Sequence, residues 1–188
     1  MIRKKIGVLA LQGGVREHCL ALSRCGVEVQ EVRTSSDIAD ICGIILPGGE
    51  STAIGKLLIK NKLFHPLQEA LQNGLPVWGT CAGAILLSQS GSEYSLGILD
   101  IDVDRNAYGS QISSCIVSVF IHDIADDFPA VFIRAPRFSR VGAGVEILSE
   151  KDGEPFFVSQ GKAWASSFHP ELTDDIRVHE AFVKKCVS

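Results

Sequence analysis

An α/β fold, with a mostly parallel central sheet and helices on both of its faces, is the class predicted by this sequence of 188 residues. Two observations carry the prediction. In the first half, short apolar runs alternate with helical patterns, a βαβ rhythm that calls for parallel strands. Those runs are also continuous rather than alternating, as expected of strands buried on both faces. The second half changes character, with closely spaced strand candidates and turn signals that add antiparallel strands.

In chain order, Ile6 to Leu11 reads as a strand and Val15 to Cys25 as a helix with Val15, Cys19 and Leu22 on one face. Val27 to Val32 is the second strand. Ile41 to Leu46 is the third, closed by Pro47-Gly48-Gly49. Ser51 or Thr52 then caps a helix through Ile59, and another runs from Leu63 to Gln72. Pro76 to Thr80 is the fourth strand, and Ala84 to Leu87 begins a helix. Further strands are expected at Ile98 to Val103, Cys115 to Ile121, Val131 to Ala135, Val145 to Ser149, Pro155 to Ser159 and Ala163 to Phe168. Asp152-Gly153 and Gln160-Gly161 are hairpin signals, and a closing helix runs from about Asp174 to Val187. No repeat, linker or low-complexity tract interrupts the chain, so one domain spanning residues 1–188 is expected.

Composition narrows the function. With 46% apolar residues and a net charge of -4, the chain suffices for one sizeable core. Charge is mixed, and the longest basic block is Arg3-Lys4-Lys5, so neither a nucleic-acid footprint nor an anionic-membrane footprint is visible. No apolar run approaches the roughly 18 residues of a membrane span, and Ile6 to Leu11 is too short for a signal peptide, so a soluble cytoplasmic protein is expected. The six cysteines at 19, 25, 42, 81, 115 and 186 lack zinc spacing and disulfide rhythm. Most read as small core residues.

Cys81 differs. It sits in Gly79-Thr80-Cys81-Ala82-Gly83, between a strand and a helix, the form of a turn that holds a nucleophile exposed. A helix N-terminus there favours thiolate, and the Ala82 amide is a natural oxyanion donor. Alone, the motif reads first as an ordinary tight turn. Phe168-His169-Pro170-Glu171 alters the balance, because side chains two apart on an extended segment share a side, giving Cys81 a base and the base a carboxylate. Without the cysteine turn, Pro170 would only end a strand. The third element, Leu46-Pro47-Gly48-Gly49-Glu50-Ser51, lies at the carboxyl end of a strand, where open α/β sheets place ligands. Its glycines let the backbone approach a ligand and offer a second oxyanion N–H from Gly49.

Together with Leu11-Gln12-Gly13, Val15-Arg16-Glu17-His18, Arg105-Asn106 and Val131-Phe132-Ile133-Arg134-Ala135-Pro136, these elements resemble the glutaminase subunits of pyridoxal 5'-phosphate synthases, a branch of the class I glutamine amidotransferases. The resemblance runs from about Ile6 to Val183. It implies a flavodoxin-like three-layer domain with Cys81 as nucleophile, His169 and Glu171 as its partners, and L-glutamine held by Gly49, Glu50, Ser51, Arg105, Ile133 and Arg134. It implies neither metal nor organic cofactor. Because the glutaminase fills the chain, the partner is a separate synthase subunit that receives the ammonia, and docking to it is expected to switch the glutaminase on. Gln12 is either a sensor of that partner or a polar turn residue. Gly14, Trp78, Ser110, Cys115 and the stretch Arg137 to Gly142 depart from the family's pattern. The rival readings are a class I glutaminase serving another synthase, a related cysteine hydrolase, and a non-catalytic subunit that keeps the fold.

Overall fold

The computed structural model describes residues 4–90, 92–105 and 115–187. Asn106 and Ser110, singled out above, lie outside them, as does Arg3. The first half follows the expected rhythm: β1 (Lys5–Leu9), α1 (Val15–Arg24), β2 (Glu28–Val32), β3 (Gly43–Leu46), α2 (Ser51–Lys60), α3 (Phe64–Gln72), β4 (Val77–Thr80) and α4 (Ala82–Leu87). The second half contains β5 (Ser88–Ser90), β6 (Leu99–Asp104), β7 (Cys115–Ile121), β8 (Ala125–Phe132), β9 (Arg137–Val141), β10 (Glu146–Lys151), β11 (Glu154–Gln160), β12 (Ala163–Ser166) and α5 (Arg177–Val187).

Seven strands form the central sheet in the order β10-β11-β12-β4-β3-β1-β2. The five from β12 to β2 are parallel, and β11 and β10 extend one edge antiparallel. The fold class predicted above is therefore the one observed. Period-two geometry divides the inner strands between two cores. Ile44, Leu46 and Val77 pack with Ile54, Leu58, Leu67 and Leu86 on one face, whereas Ile6, Val8, Ile45 and Trp78 pack with Leu22, Val178 and Phe182 on the other. Such strands need apolar residues at every position, which is why their sequences run without alternation.

Several boundaries differ from expectation. The predicted strand at Val131 to Ala135 is the end of a longer one, β8, which stops at Phe132; Arg134 then takes a positive φ of 47°, which leaves extended geometry. The stretch Arg137 to Val141, noted only as atypical, is β9, paired with β6. Neither Ser51 nor Thr52 caps α2: Glu50 occupies the cap position, and no side chain bonds there. The closing helix begins at Arg177, because Asp175 turns its carboxylate to the Arg177 N–H and guanidinium. Of the cysteines only Cys81 is buried, with 7% of its surface exposed; Cys115 is exposed, and the other four are partly covered.

Candidate active site

The carboxyl ends of β1, β3, β4 and β12 lie side by side in register, with Leu46 opposite Gly79 and Ser166 opposite Thr80. The segments that leave these strands converge at this one edge. Gln12 follows β1, the Pro47-Gly48-Gly49-Glu50 loop follows β3, Cys81 follows β4, and His169 and Glu171 follow β12.

Cys81 has φ 48° and ψ -103°, a conformation that non-glycine residues rarely adopt. Its N–H donates to the Ser166 carbonyl at 2.7 Å, and its own carbonyl accepts from Ala84 and Ile85. Neighbouring backbone on both sides thus holds the strained turn. The turn is tight because α4 is pressed against β3, so a Cβ added at Gly83 would lie 1.9 Å from the Leu46 carbonyl oxygen. Ala82 opens α4, where an N–H has no partner within the helix.

His169 sits above the turn. Its Nδ1 lies 2.8 Å from Glu171 Oε1, and its remaining polar partner is the Cys81 thiol. Burial pulls the imidazole down, but the Cys81 and then the Glu171 interaction outweigh it and raise it to about 10. Glu171 is buried, which alone would push its carboxyl up; the facing His18 and His169 reverse this and hold it below the usual range. The expected reason for the pair's proximity needs correction. Pro170–Leu172 is a 3-10 turn, not an extended segment, and it is this turn that aims both side chains at one place. By contrast, burial pushes the Cys25 and Cys186 thiols up to about 11 and about 12, leaving them unreactive.

The glycine loop closes the site. Thr80 Oγ1 accepts the Gly48 N–H at 3.0 Å, Gly14 donates to the Gly48 carbonyl at 3.0 Å, and Gln12 Oε1 accepts the Glu50 N–H at 2.8 Å. A Cβ at Gly48 would meet His169 at 2.4 Å, so the loop backbone lies directly against the imidazole. Gly49 and Glu50 are exposed, whereas Ser51 is buried with a hydroxyl that has no partner among the described residues. Arg105 donates to Thr52 Oγ1 at 2.8 Å, which sets its guanidinium beside the start of α2. Ile133 and Arg134 follow β8, whose Val131 carbonyl accepts the His169 N–H at 2.8 Å. Arg134 lines an open cavity with Cys115, Phe132, Glu154 and Phe156.

Sequence reasoning gave no role to His18, His179 or Thr80. His18 Nδ1 is 3.0 Å from His179 Nε2, and His18 Nε2 is 3.2 Å from Thr80 Oγ1 and 3.3 Å from Glu171 Oε2. The available signal was a histidine three and four residues before the buried Ala21 and Leu22, on the apolar face of α1.

The SNO glutamine amidotransferase family matches residues 8–188 of this chain. The chain belongs to that family. The amidotransferase is 47% identical to pyridoxal 5'-phosphate synthase subunit PdxT of Kosmotoga olearia, over 97% of this chain and 98% of the relative. With the subunit of the same name from Shouchella clausii it shares 49% identity, over 96% of this chain and 94% of that one. A solved structure described as a glutamine amidotransferase superposes with a TM-score of 0.91 at 43% identity, covering 97% of this chain and 99% of its own. PurLQS from Thermotoga maritima shares the fold, with a TM-score of 0.74 at 17% identity over 98% of each chain.

Proposed function

We propose that this amidotransferase hydrolyses L-glutamine to L-glutamate and ammonia through Cys81, His169 and Glu171, and delivers the ammonia to a separate synthase subunit that makes pyridoxal 5'-phosphate. The observation that carries the chemistry is the contiguous line from the Cys81 thiol through His169 to the buried Glu171 carboxylate, at 2.8 Å for the second step. The names and near-complete coverage of the relatives support the partner.

In this mechanism the Cys81 sulfur attacks the glutamine δ-carbonyl carbon with its proton already held by His169, whose ring is raised to about 10. Backbone N–H groups of Ala82 and Gly49 stabilise the tetrahedral oxyanion. Collapse breaks the C–N bond, and His169 gives its proton to the departing nitrogen, which leaves as ammonia and a glutamyl thioester. His169 then takes a proton from water as the water attacks the thioester carbonyl, and the C–S bond breaks to release glutamate and return the sulfur beside the protonated His169. Glu171 keeps the imidazole Nδ1 protonated, so that the other nitrogen faces sulfur and substrate throughout.

Gly49, Glu50 and Ser51 form one wall for glutamine, and Arg105 with Ile133 and Arg134 the other. The unpartnered Ser51 hydroxyl and the guanidinium of Arg105 beside α2 support the first wall and the charge needed for an α-carboxylate. Strands from both halves of the chain join in one central sheet, β12 pairing with β4, which supports reading residues 1–188 as one amidotransferase domain. Six free thiols suit the reducing cytoplasm, and no helix among the described residues is long and apolar enough to cross a membrane.

Glutamate release from L-glutamine by the purified chain, alone and with the synthase subunit from the same source, tests the proposal. Turnover that rises with the synthase supports both chemistry and partner. Equal turnover in both arms leaves the triad standing and removes partner control. No release in either arm refutes the glutaminase reading.

A further inference from the structure

Behind the triad a line of buried polar groups continues into the protein, and the mechanism above makes no use of it. Glu171 presents Oε1 to His169, but its second oxygen, Oε2, is buried without a hydrogen bond among the described residues and faces His18 Nε2 at 3.3 Å; the hydrogen bond of His18 Nε2 is with Thr80 Oγ1, at 3.2 Å. His18, on α1, is buried against β4 and α5, and its other nitrogen meets His179 Nε2 at 3.0 Å. Both rings lie edge-on or tilted against Trp78, which closes the line from the core.

Elementary electrostatics fixes the protons in this line. An anionic oxygen 3.3 Å from a ring nitrogen favours N–H over a lone pair there, and Thr80 Oγ1 at 3.2 Å accepts that N–H, so His18 carries its proton on Nε2. His18 Nδ1 is then an acceptor, and His179 Nε2–H is the donor to it. That leaves His179 Nδ1 as a bare lone pair, in agreement with its lack of a partner among the described residues. The reverse assignment would bury an orphan N–H at His179 Nδ1 and set a lone pair against the carboxylate, which is costlier on both counts. Burial lowers both imidazoles, His179 to about 3, so each is neutral at neutral pH. The charged and titratable groups acting on this line are Glu17 on α1, Arg24 at the end of α1, His169 and Glu171.

We infer that His18 is a positioning residue for the glutaminase: its Nε2–H, held in that tautomer by His179 and bonded to Thr80 Oγ1, sets the positive edge of the ring 3.3 Å from Glu171 Oε2, which keeps the carboxylate ionised and its Oε1 aimed at His169. The inference rests on the glutaminase reading. A donor on Oε1 and an N–H edge facing Oε2 together keep a buried carboxylate charged, and a charged Glu171 keeps the His169 ring oriented. Without His18, the carboxyl would take up a proton at higher pH and turn away from the imidazole.

The test compares His18→Leu and His18→Gln, assayed in complex with the synthase subunit, with nitrogen-15 histidine spectra of the wild-type chain. His18→Leu removes the donor at similar volume; it should lower kcat by about tenfold or more, change the KM for glutamine little, and shift the acidic limb of the kcat/KM profile to higher pH. His18→Gln keeps an N–H near Nε2 and should restore most of both. Wild-type kcat with an unmoved acidic limb in His18→Leu overturns the inference. So does a loss of kcat with no shift of the limb and no rescue by Gln, which would indicate packing alone. If the leucine variant does not fold, the spectra decide: neutral His18 with its proton on Nε2 between about pH 6 and 9 supports the inference, and the Nδ1–H tautomer or an imidazolium refutes it. Wild-type complex that releases no glutamate would instead refute the glutaminase reading, leaving the tautomer result to stand by itself.

Discussion

At the scale of single residues, the site depends on charge held in a buried place. Cys81→Ala removes the sulfur and should lower glutamate release by about four orders of magnitude or more, with binding to the synthase unchanged. Residual turnover close to wild type would mean that the nucleophile is misassigned. The ion pair also has a signature in stability. Because His169 is raised to about 10 from an ordinary 6.5, its protonated ring stabilises the fold fully below the ordinary value, and this contribution fades as pH climbs through about 10. Glu171 is lowered from an ordinary 4.5, so its share is present above that value and is lost as pH falls. The difference in thermal midpoint between wild type and His169→Ala should therefore be greatest between about pH 5 and 6.5 and shrink toward pH 10. Thermal unfolding across that range checks it, and a difference that grows with pH would contradict the pairing.

At the scale of elements, the strand-to-helix turn is held by close backbone contact rather than by side chains. A methyl at Gly83 would overlap the Leu46 carbonyl, so α4 must move away from β3. Gly83→Ala should destabilise the protein by about 2 kcal/mol, a fall in Tm of roughly 4–8 °C, measured by calorimetry. It should also lower kcat, because Cys81 is carried on the same turn. The Gly48-Gly49-Glu50 loop is different. Its hold on the β1 side is a carbonyl contact to Gly14 and one side-chain bond from Gln12 to the Glu50 N–H. A loop whose Glu50 N–H rests on one side-chain oxygen is where a docking partner can act. Gln12→Ala should reduce the stimulation of glutamate release by the synthase several-fold, while changing the basal rate of the isolated chain much less. Full stimulation in that variant would remove Gln12 from the coupling.

At the scale of the whole molecule, the active-site edge is formed by strands drawn from both halves of the chain, and ammonia generated there has to reach chemistry on another subunit. At neutral pH free ammonia is mostly ammonium, a poor nucleophile, so delivery without release is the useful arrangement. The complex containing Cys81→Ala should make no pyridoxal 5'-phosphate from glutamine, yet should make it when an ammonium salt is supplied at alkaline pH. Product formation measured by absorbance separates the two roles. Failure of ammonium to rescue would show that this subunit contributes more than ammonia.

Much of this was legible in the sequence because it depends on local chemistry. Continuous apolar runs gave the parallel strands, since each of their residues faces one of two cores. The glycines around Cys81 and the His169-Pro170-Glu171 run marked the candidate triad, because a tight turn and a hydrogen-bonded base demand particular residue types at fixed spacing. Hairpin placement was harder to read: β9 looked merely atypical, and β8 was found only at its end, because short mixed strands take their identity from partners distant in the chain. His18 and His179 were out of reach for the same reason, since 161 residues separate two rings whose facing nitrogens stand 3.0 Å apart. Sequence by itself determined which groups were available for chemistry. Only the tertiary structure decided which of them share a buried, low-dielectric space, and it is there that a neutral histidine can steady a carboxylate.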